Sequence, residues 1–286
     1  MEIQKELKKY RHPNETSRFI LALIFAVPIT LIAIVFAVAS YGILLIVIGF
    51  FLLFVWLGYE TFYANFIANS IRVSESNYPR VLKILQEVNG EIGVTKKVDI
   101  FVYQQGEFNA YFKRFFYRRS IFLNSEMLEQ GVSDEELEWI IGRFLGQMRS
   151  EQAKGVFGWM ITLAKRLIVF NLFLLPYERA TAYTGDRVAL ACIDGNITTA
   201  VSAMNKLLVG RGLGYSVNPA GLVEQNRDVK GSFFAFLARL FSGLPHTITR
   251  YVDLIGFAKE QFPTQHQQFV AENPSFQSSA TAQPGA

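Results

Sequence analysis

The chain has 286 residues, 51% of them hydrophobic, with a mean hydropathy of +0.22, which is enough for one soluble core plus a membrane segment. Its net charge of +4 is not gathered into a basic stripe interleaved with exposed aromatics, and this argues against a nucleic-acid partner. The single cysteine, Cys192, excludes an intrachain disulfide, and the three histidines, His12, His246 and His266, exclude a helical zinc site because no two stand four apart.

Residues 1–18 are polar and basic (Lys5, Lys8, Lys9, Arg11, Arg18) and read as a cytoplasmic N-terminus. Residues 19–58 carry no charge, about twice the roughly 20 residues that cross a bilayer as a helix. Ser40-Tyr41-Gly42 divides this run, so the reading is a transmembrane hairpin with spans near 19–39 and 42–58. Pro28 is tolerated in lipid, and the run is too long for a cleaved signal peptide. One long tilted or buried helix is the alternative. The basic flank holds the N-terminus in the cytoplasm, and a hairpin returns the rest of the chain to the same side.

Residues 59–262 follow as one domain, and from about Asn77 the composition becomes that of a soluble one. Pro79 followed by Val81, Leu82, Ile84, Leu85 and Val88 has helical spacing, with the proline suited to a first turn. Residues 98–103 (VDIFVY) and 120–124 (SIFLN) read as strands. The run 115–119 (FFYRR) between them reads either as a segment dipping into a membrane surface or as the rim of a β-hairpin. Ser133 with Glu136 forms a capping box, which opens a helix through Leu137, Trp139, Ile140, Ile141, Phe144, Leu145 and Met148. Glu135, Glu136 and Glu138 are then a capped, solvated first turn rather than a carboxylate site.

Residues 156–175 are strongly apolar, but Lys165 and Arg166 at their centre make a poor span, so a buried or membrane-surface helix is expected. Residues 178–208 read as one or two helices. Gly210, Gly212, Gly214 and Gly221 mark a plain loop, since no Gly-Lys-Ser/Thr follows. Residues 232–259 are helical again, and the polar residues 263–286 read as a disordered tail. Cys192 reads as a small core residue and His246 as structural.

Taken in order, these pieces resemble the HtpX and CAAX-prenyl-protease class of membrane zinc metallopeptidases. The resemblance rests on Tyr78-Pro79, on 98–103, and on Phe108-Asn109-Ala110-Tyr111-Phe112, which is similar to the family's Asn-Ala-Phe segment. It continues in Ser120, Ile121, Phe122, Leu123 and Asn124, similar to the family's substrate-side edge strand, in the helix opened by Ser133, and in Pro245-His246 with Arg250. It implies an α+β, mainly α fold: a transmembrane hairpin plus a gluzincin-like domain with a small β-sheet. Where the family has His-Glu-Leu-Gly-His, this chain has Arg143-Phe144-Leu145-Gly146-Gln147. Arg143 and Gln147 replace the metal-binding histidines, and Phe144 replaces the glutamate that would deprotonate a zinc-bound water. The third ligand aligns with Ala182, while Asp186 and Arg187 are retained. No catalytic residue, metal or cofactor is therefore expected. Arg143 either pairs with Asp186, a fixed cation partly replacing the zinc, or snorkels to solvent while Asp186 caps a helix.

The resemblance and its losses imply a pseudopeptidase in a membrane, multi-pass and of the bacterial inner membrane, with its soluble domain in the cytoplasm. Its expected partners are the lipid bilayer and a protein partner or client polypeptide held along the edge strand, in a binding, scaffold or regulatory role. The alternatives are an active peptidase with an atypical site and a purely structural subunit of an oligomer.

Overall fold

A computed structural model describes residues 2–40, 42–104, 109–115, 118–150, 152, 155–164 and 171–276. The fold is mostly helical with one small mixed sheet. The first helix, α1 (Glu2–Tyr10), is not a free basic terminus: Ile3, Leu7 and Tyr10 recur at helical spacing and enter the main core, leaving the lysines outside. Gln4 ties it down further by donating to the carbonyl of Gly90 at 3.0 Å.

Helices α2 (Glu15–Ala39) and α3 (Ile43–Ala68) follow. Both are long and apolar enough to cross a membrane, at about 37 and about 39 Å for a rise of 1.5 Å per residue. Gly42 precedes α3 at φ +84°, a left-handed conformation that an L side chain rarely adopts, and lets the chain reverse there. Tyr41 lies outside the described residues. Pro28 sits inside α2 without ending it. The second span does not stop at residue 58 as its composition implies. The helix continues because Tyr59, Tyr63, Phe66 and Ile67 form a stripe that packs on the sheet residues Phe101, Tyr103, Tyr111 and Phe122. At the other end of the hairpin Glu15 is wholly buried against Thr184. Both ends of the hairpin are thus held by one folded body.

The sheet has β1 (Ile71–Arg72), β2 (Asp99–Tyr103), β3 (Ala110–Phe115) and β4 (Arg118–Asn124) in the order β1-β2-β4-β3. β2 and β4 are parallel, with Asp99 opposite Ser120, while the other two pairings are antiparallel. This corrects the expectation that Ser120, Ile121, Phe122, Leu123 and Asn124 form an edge. They lie in β4, hydrogen-bonded on both sides, and β3 is the edge strand instead. Phe108, Phe116 and Tyr117 lie outside the described residues, and with them part of the Asn-Ala segment and of the basic aromatic run.

The main core gathers α4 (Pro79–Ile92), α5 (Asp134–Ser150), α7 (Asn171–Cys192), α8 (Ile197–Val209), α11 (Thr247–Gln261) and α12 (Pro263–Glu272) around the fully buried Trp139. The capping box forms as expected: the Glu136 amide donates to Ser133 Oγ at 3.1 Å and the Ser133 amide donates to Glu136 Oε2 at 2.9 Å. Glu136 is not solvated, however. It is buried and paired with Lys206 Nζ at 2.7 Å, because α8 lies across the start of α5.

One further expectation is corrected. Residues 263–276 are not a disordered tail: α12 seats Phe269 in the core, Phe276 beyond it is buried there too, and that burial outweighs the polar composition, while 277–286 lie outside the described residues. Of residues 156–175 the structure describes α6 (Gly155–Ala164) and the start of α7, with 165–170, Lys165 and Arg166 among them, outside the described residues. Ile161 and Ala164 of α6, with Leu174 and Tyr177 of α7, pack against Ala22 and Ala26 of α2. Beyond α8 come α9 (Pro219–Gly231) and α10 (Phe233–Leu240), so the helical stretch expected at 232–259 is broken between α10 and α11.

Candidate functional site

The positions that carry the metallopeptidase resemblance meet where α5 crosses α7. The crossing is close because small residues face backbone. A Cβ on Gly185 would sit 2.4 Å from the Arg143 carbonyl oxygen, and one on Gly146 would sit 2.7 Å from Val188 Cβ. Arg143, Phe144 and Gln147 come from α5, while Ala182 and Asp186 come from α7.

Phe144 is buried in the main core, its ring 6.2 Å from that of Phe112 on the edge strand β3. Gln147 donates through Nε2 to Thr181 Oγ1 at 3.1 Å. Ala182 is buried. Asp186, also buried, receives Arg250 as a bidentate partner, Nε to Oδ2 at 2.7 Å and Nη2 to Oδ1 at 2.5 Å. Arg143 approaches the same carboxylate less closely, with Nε 3.9 Å from Oδ1. Its guanidinium lies over the rings of Phe144, at 4.8 Å, and Trp139, at 5.7 Å. It does not snorkel, since its side chain is only 12% exposed, and Asp186 stands inside α7 rather than at its end. Burial first, then the charge of Arg250, pulls the Arg143 pKa down, with Asp186 opposing. The guanidinium nonetheless stays charged, as arginine does in proteins.

A second layer adjoins this pair. Arg187 grips Asp253 with two hydrogen bonds of 3.1 and 3.0 Å. Burial raises the Asp253 carboxyl above its ordinary pKa against the pull of Arg187. His12 lies 3.8 Å from Asp253 and stacks on Tyr183 at 5.0 Å. Its pKa is pushed down to about 4, mainly by burial and then by Arg187 and Arg18, which keeps it neutral at pH 7. The His12 amide donates to Thr184 Oγ1 at 2.9 Å, and Thr184 donates in turn to Glu15. Gln152 Nε2 also donates to Glu15, at 3.1 Å. The segment joining α1 to α2 is thereby sewn onto α7 two residues from Asp186.

Among Arg143, Arg187, Arg250, Asp186 and Asp253, three cations face two carboxylates. The cluster therefore carries a net positive charge in a largely buried setting. Among the described residues no three histidine, cysteine, aspartate or glutamate side chains come together as a metal would need. Cys192 is no nucleophile here: burial, and then Glu91, push its thiol pKa well above the usual range. His246 precedes α11 and meets the Ala235 carbonyl at 3.2 Å.

Asn109 lies at the start of β3, where its side-chain oxygen accepts from the Ala110 amide at 2.8 Å and its carbonyl accepts from the Asn124 amide at 3.0 Å. These residues, with 120–124, shape the sheet, and Phe112 brings its ring to that of Phe144. A cavity of about 380 Å³ lies elsewhere, between β1, β2 and α4, lined by Arg72, Leu82, Leu85 and Asp99 among others. Sequence reasoning missed Arg250 as the main partner of Asp186, and missed His12, Glu15 and Asp253 altogether. A signal was present: Arg250 and Asp253 stand three apart and so share one face of a helix.

Fold and site together define a mainly helical α+β protein with two bilayer-length helices and a buried arginine-rich cluster. Neither protein-family models nor curated proteins nor solved structures yield a match to this chain.

Proposed function

We propose that the chain is a catalytically inactive relative of the membrane zinc metallopeptidases it resembles, retaining a gluzincin-like domain and serving as a scaffold subunit of a membrane protein complex. One observation carries the reading: each lost site position has been filled by packing. Phe144 sits in the core where a general base would stand, and Gln147 is engaged by Thr181. The α5–α7 backbones approach through Gly146 and Gly185, leaving little room for an ion and its ligands. Arg143 and Arg250 supply the fixed positive charge at Asp186 that zinc would supply in an active relative.

This closure favours a scaffold acting through its outer surfaces over a holder of peptide in the old cleft. β4 has no free edge, and Phe144 is covered by β3. In this reading α2 and α3 cross a bacterial inner membrane as a hairpin. The basic flank supports a cytoplasmic folded body, and the shared anchoring of both hairpin ends is consistent with a return of the chain to that side.

Elemental analysis of detergent-purified protein, run beside a casein-cleavage assay, tests the proposal. The expected result is zinc well below one per chain and no chelator-sensitive cleavage. One tightly bound zinc per chain, with cleavage abolished by a chelator, would overturn it.

A further inference from the structure

Helix α10, sequence FFAFLARL, has no buried residue. Phe233 and Phe234 are 67% and 77% exposed, and Phe241 just beyond the helix is 68% exposed. On α10 Phe233, Phe234, Phe236 and Leu237, with Phe241 just beyond it, are exposed, whereas Ala235, Arg239 and Leu240 are partly covered. The side bearing Ala235 and Arg239 is turned toward the protein, and its backbone carbonyls are held there. Arg179 Nη1 donates to the carbonyls of Arg239, at 2.7 Å, and Ser242, at 2.8 Å, and His246 meets that of Ala235. The aromatic side is thus held outward. Contiguous apolar patches of this kind mark an interaction surface rather than ordinary exposure.

The place of α10 says what covers it. The uncharged run of α2 begins at Phe19, whose ring lies 5.3 Å from that of Tyr177 on α7. Two residues further along α7 stands Arg179, which holds α10. After burial, the charges of Arg18 and Arg239 lower the Arg179 pKa, so the three guanidiniums stand near one another. Next to them Gly243 packs against Glu178 and Leu175. The exposed aromatics and this group of cations therefore sit at the level where α2 enters its apolar run. At a bilayer surface that level is the headgroup boundary, where aromatic side chains and basic residues are favoured.

We propose that α10 is an interfacial helix lying in the surface of the bilayer that α2 and α3 span, its aromatic side inserted and Arg18 and Arg239 facing anionic lipid headgroups. Amphipathic helices of this type sink about 5–10 Å into the headgroup–acyl boundary. The helix gives the folded body a third membrane contact beside the two spans and fixes its tilt. The proposal rests on the reading that α2 and α3 span the membrane, so its test must report on both.

The experiment uses the full chain in nanodiscs of phosphatidylcholine mixed with phosphatidylglycerol. In a Cys192→Ala background, a nitroxide is attached in turn at Phe234→Cys on α10, Leu45→Cys on α3, and Gln225→Cys on the exposed side of α9. Power saturation then compares accessibility to oxygen, which partitions into lipid, with accessibility to a nickel chelate, which stays in water. The labels at 45 and 234 are expected to show an oxygen-to-nickel ratio several-fold above that at 225, and Arg239→Gln is expected to lower the ratio at 234. A label at 234 that resembles the one at 225, or is shielded from both reagents as under a second protein copy, overturns the proposal while residue 45 still reports lipid. A water-facing label at 45 brings down the spanning reading, and the proposal falls with it.

Discussion

Asp186 takes two short hydrogen bonds from Arg250, while Arg143 stands 3.9 Å off and leans on the faces of Phe144 and Trp139. The two arginines therefore differ in what they contribute. Asp186→Ala strands two buried guanidiniums and should lower stability by about 3–5 kcal/mol, the usual consequence of breaking a buried pair on one side. Arg143→Met keeps the bidentate pair, removes a cation that Arg250 repels, and puts an unbranched apolar chain against two aromatic rings. Its expected effect is near neutral or stabilising, since replacing buried ionic groups by packed apolar ones often is. Denaturant unfolding in detergent would give the order; a larger loss for Arg143→Met than for Asp186→Ala would mean that Arg143 is the principal partner. Arg143 and Asp186 stand out in the sequence because they fall at motif positions of the metallopeptidase family it resembles. It gave no comparable notice of Arg250 as a partner, because a contact 64 residues away is set by how α11 crosses α7, and no local rule carries that.

Element by element, what could be read in advance was what neighbouring residues decide. The capping box before α5, the proline that opens α4 and the alternation in β2 are all local, and all formed. Tertiary packing decided the rest. α12 is polar and short, and on propensity alone a helix of this length is marginal in water; Phe269 holds it against the core, with Phe276 packed beside it. The spacing of Ile3, Leu7 and Tyr10 was present in the first helix, but the lysines between them drew the reading toward a solvated flank. Strand order could not be read because β4 pairs in parallel with β2, which requires a crossover rather than a simple hairpin succession. The closeness of α5 and α7 is likewise a pair property, and glycine makes it testable. Gly185→Ala places a Cβ against the Arg143 carbonyl and should destabilise by about 1–3 kcal/mol as overpacking, despite a helix-propensity gain of about 1 kcal/mol. Gly256→Ala on α11 meets nothing within 4 Å and should keep that gain. Melting temperatures moving in opposite directions are expected; a rise for both would mean that the crossing has slack.

At the scale of the whole molecule, the apolar helices α2 and α3 and the folded body cannot be parted where composition changes. α1 lends Ile3 and Tyr10 to the main core, the start of α2 buries Glu15 against Thr184, and the far end of α3 covers the sheet with Tyr63 and Phe66. Burying side chains of this size stabilises by about 1.5–3 kcal/mol each, against a total folding stability of only about 5–15 kcal/mol. A chain begun after residue 70 loses all of these contacts at once. It exposes Phe101, Tyr103 and Phe122 and leaves Thr184 without its carboxylate. Such a chain is expected to lack a cooperative thermal transition and to be cut rapidly in limited proteolysis, whereas the full chain in detergent should resist across α5, α7 and α11. If the shortened chain instead melted cooperatively with the same protected core, the hairpin would be only an anchor and the body would carry its own stability. The arrangement favours the first outcome, because each contact by which the hairpin holds the body is also part of the packing that keeps the body folded.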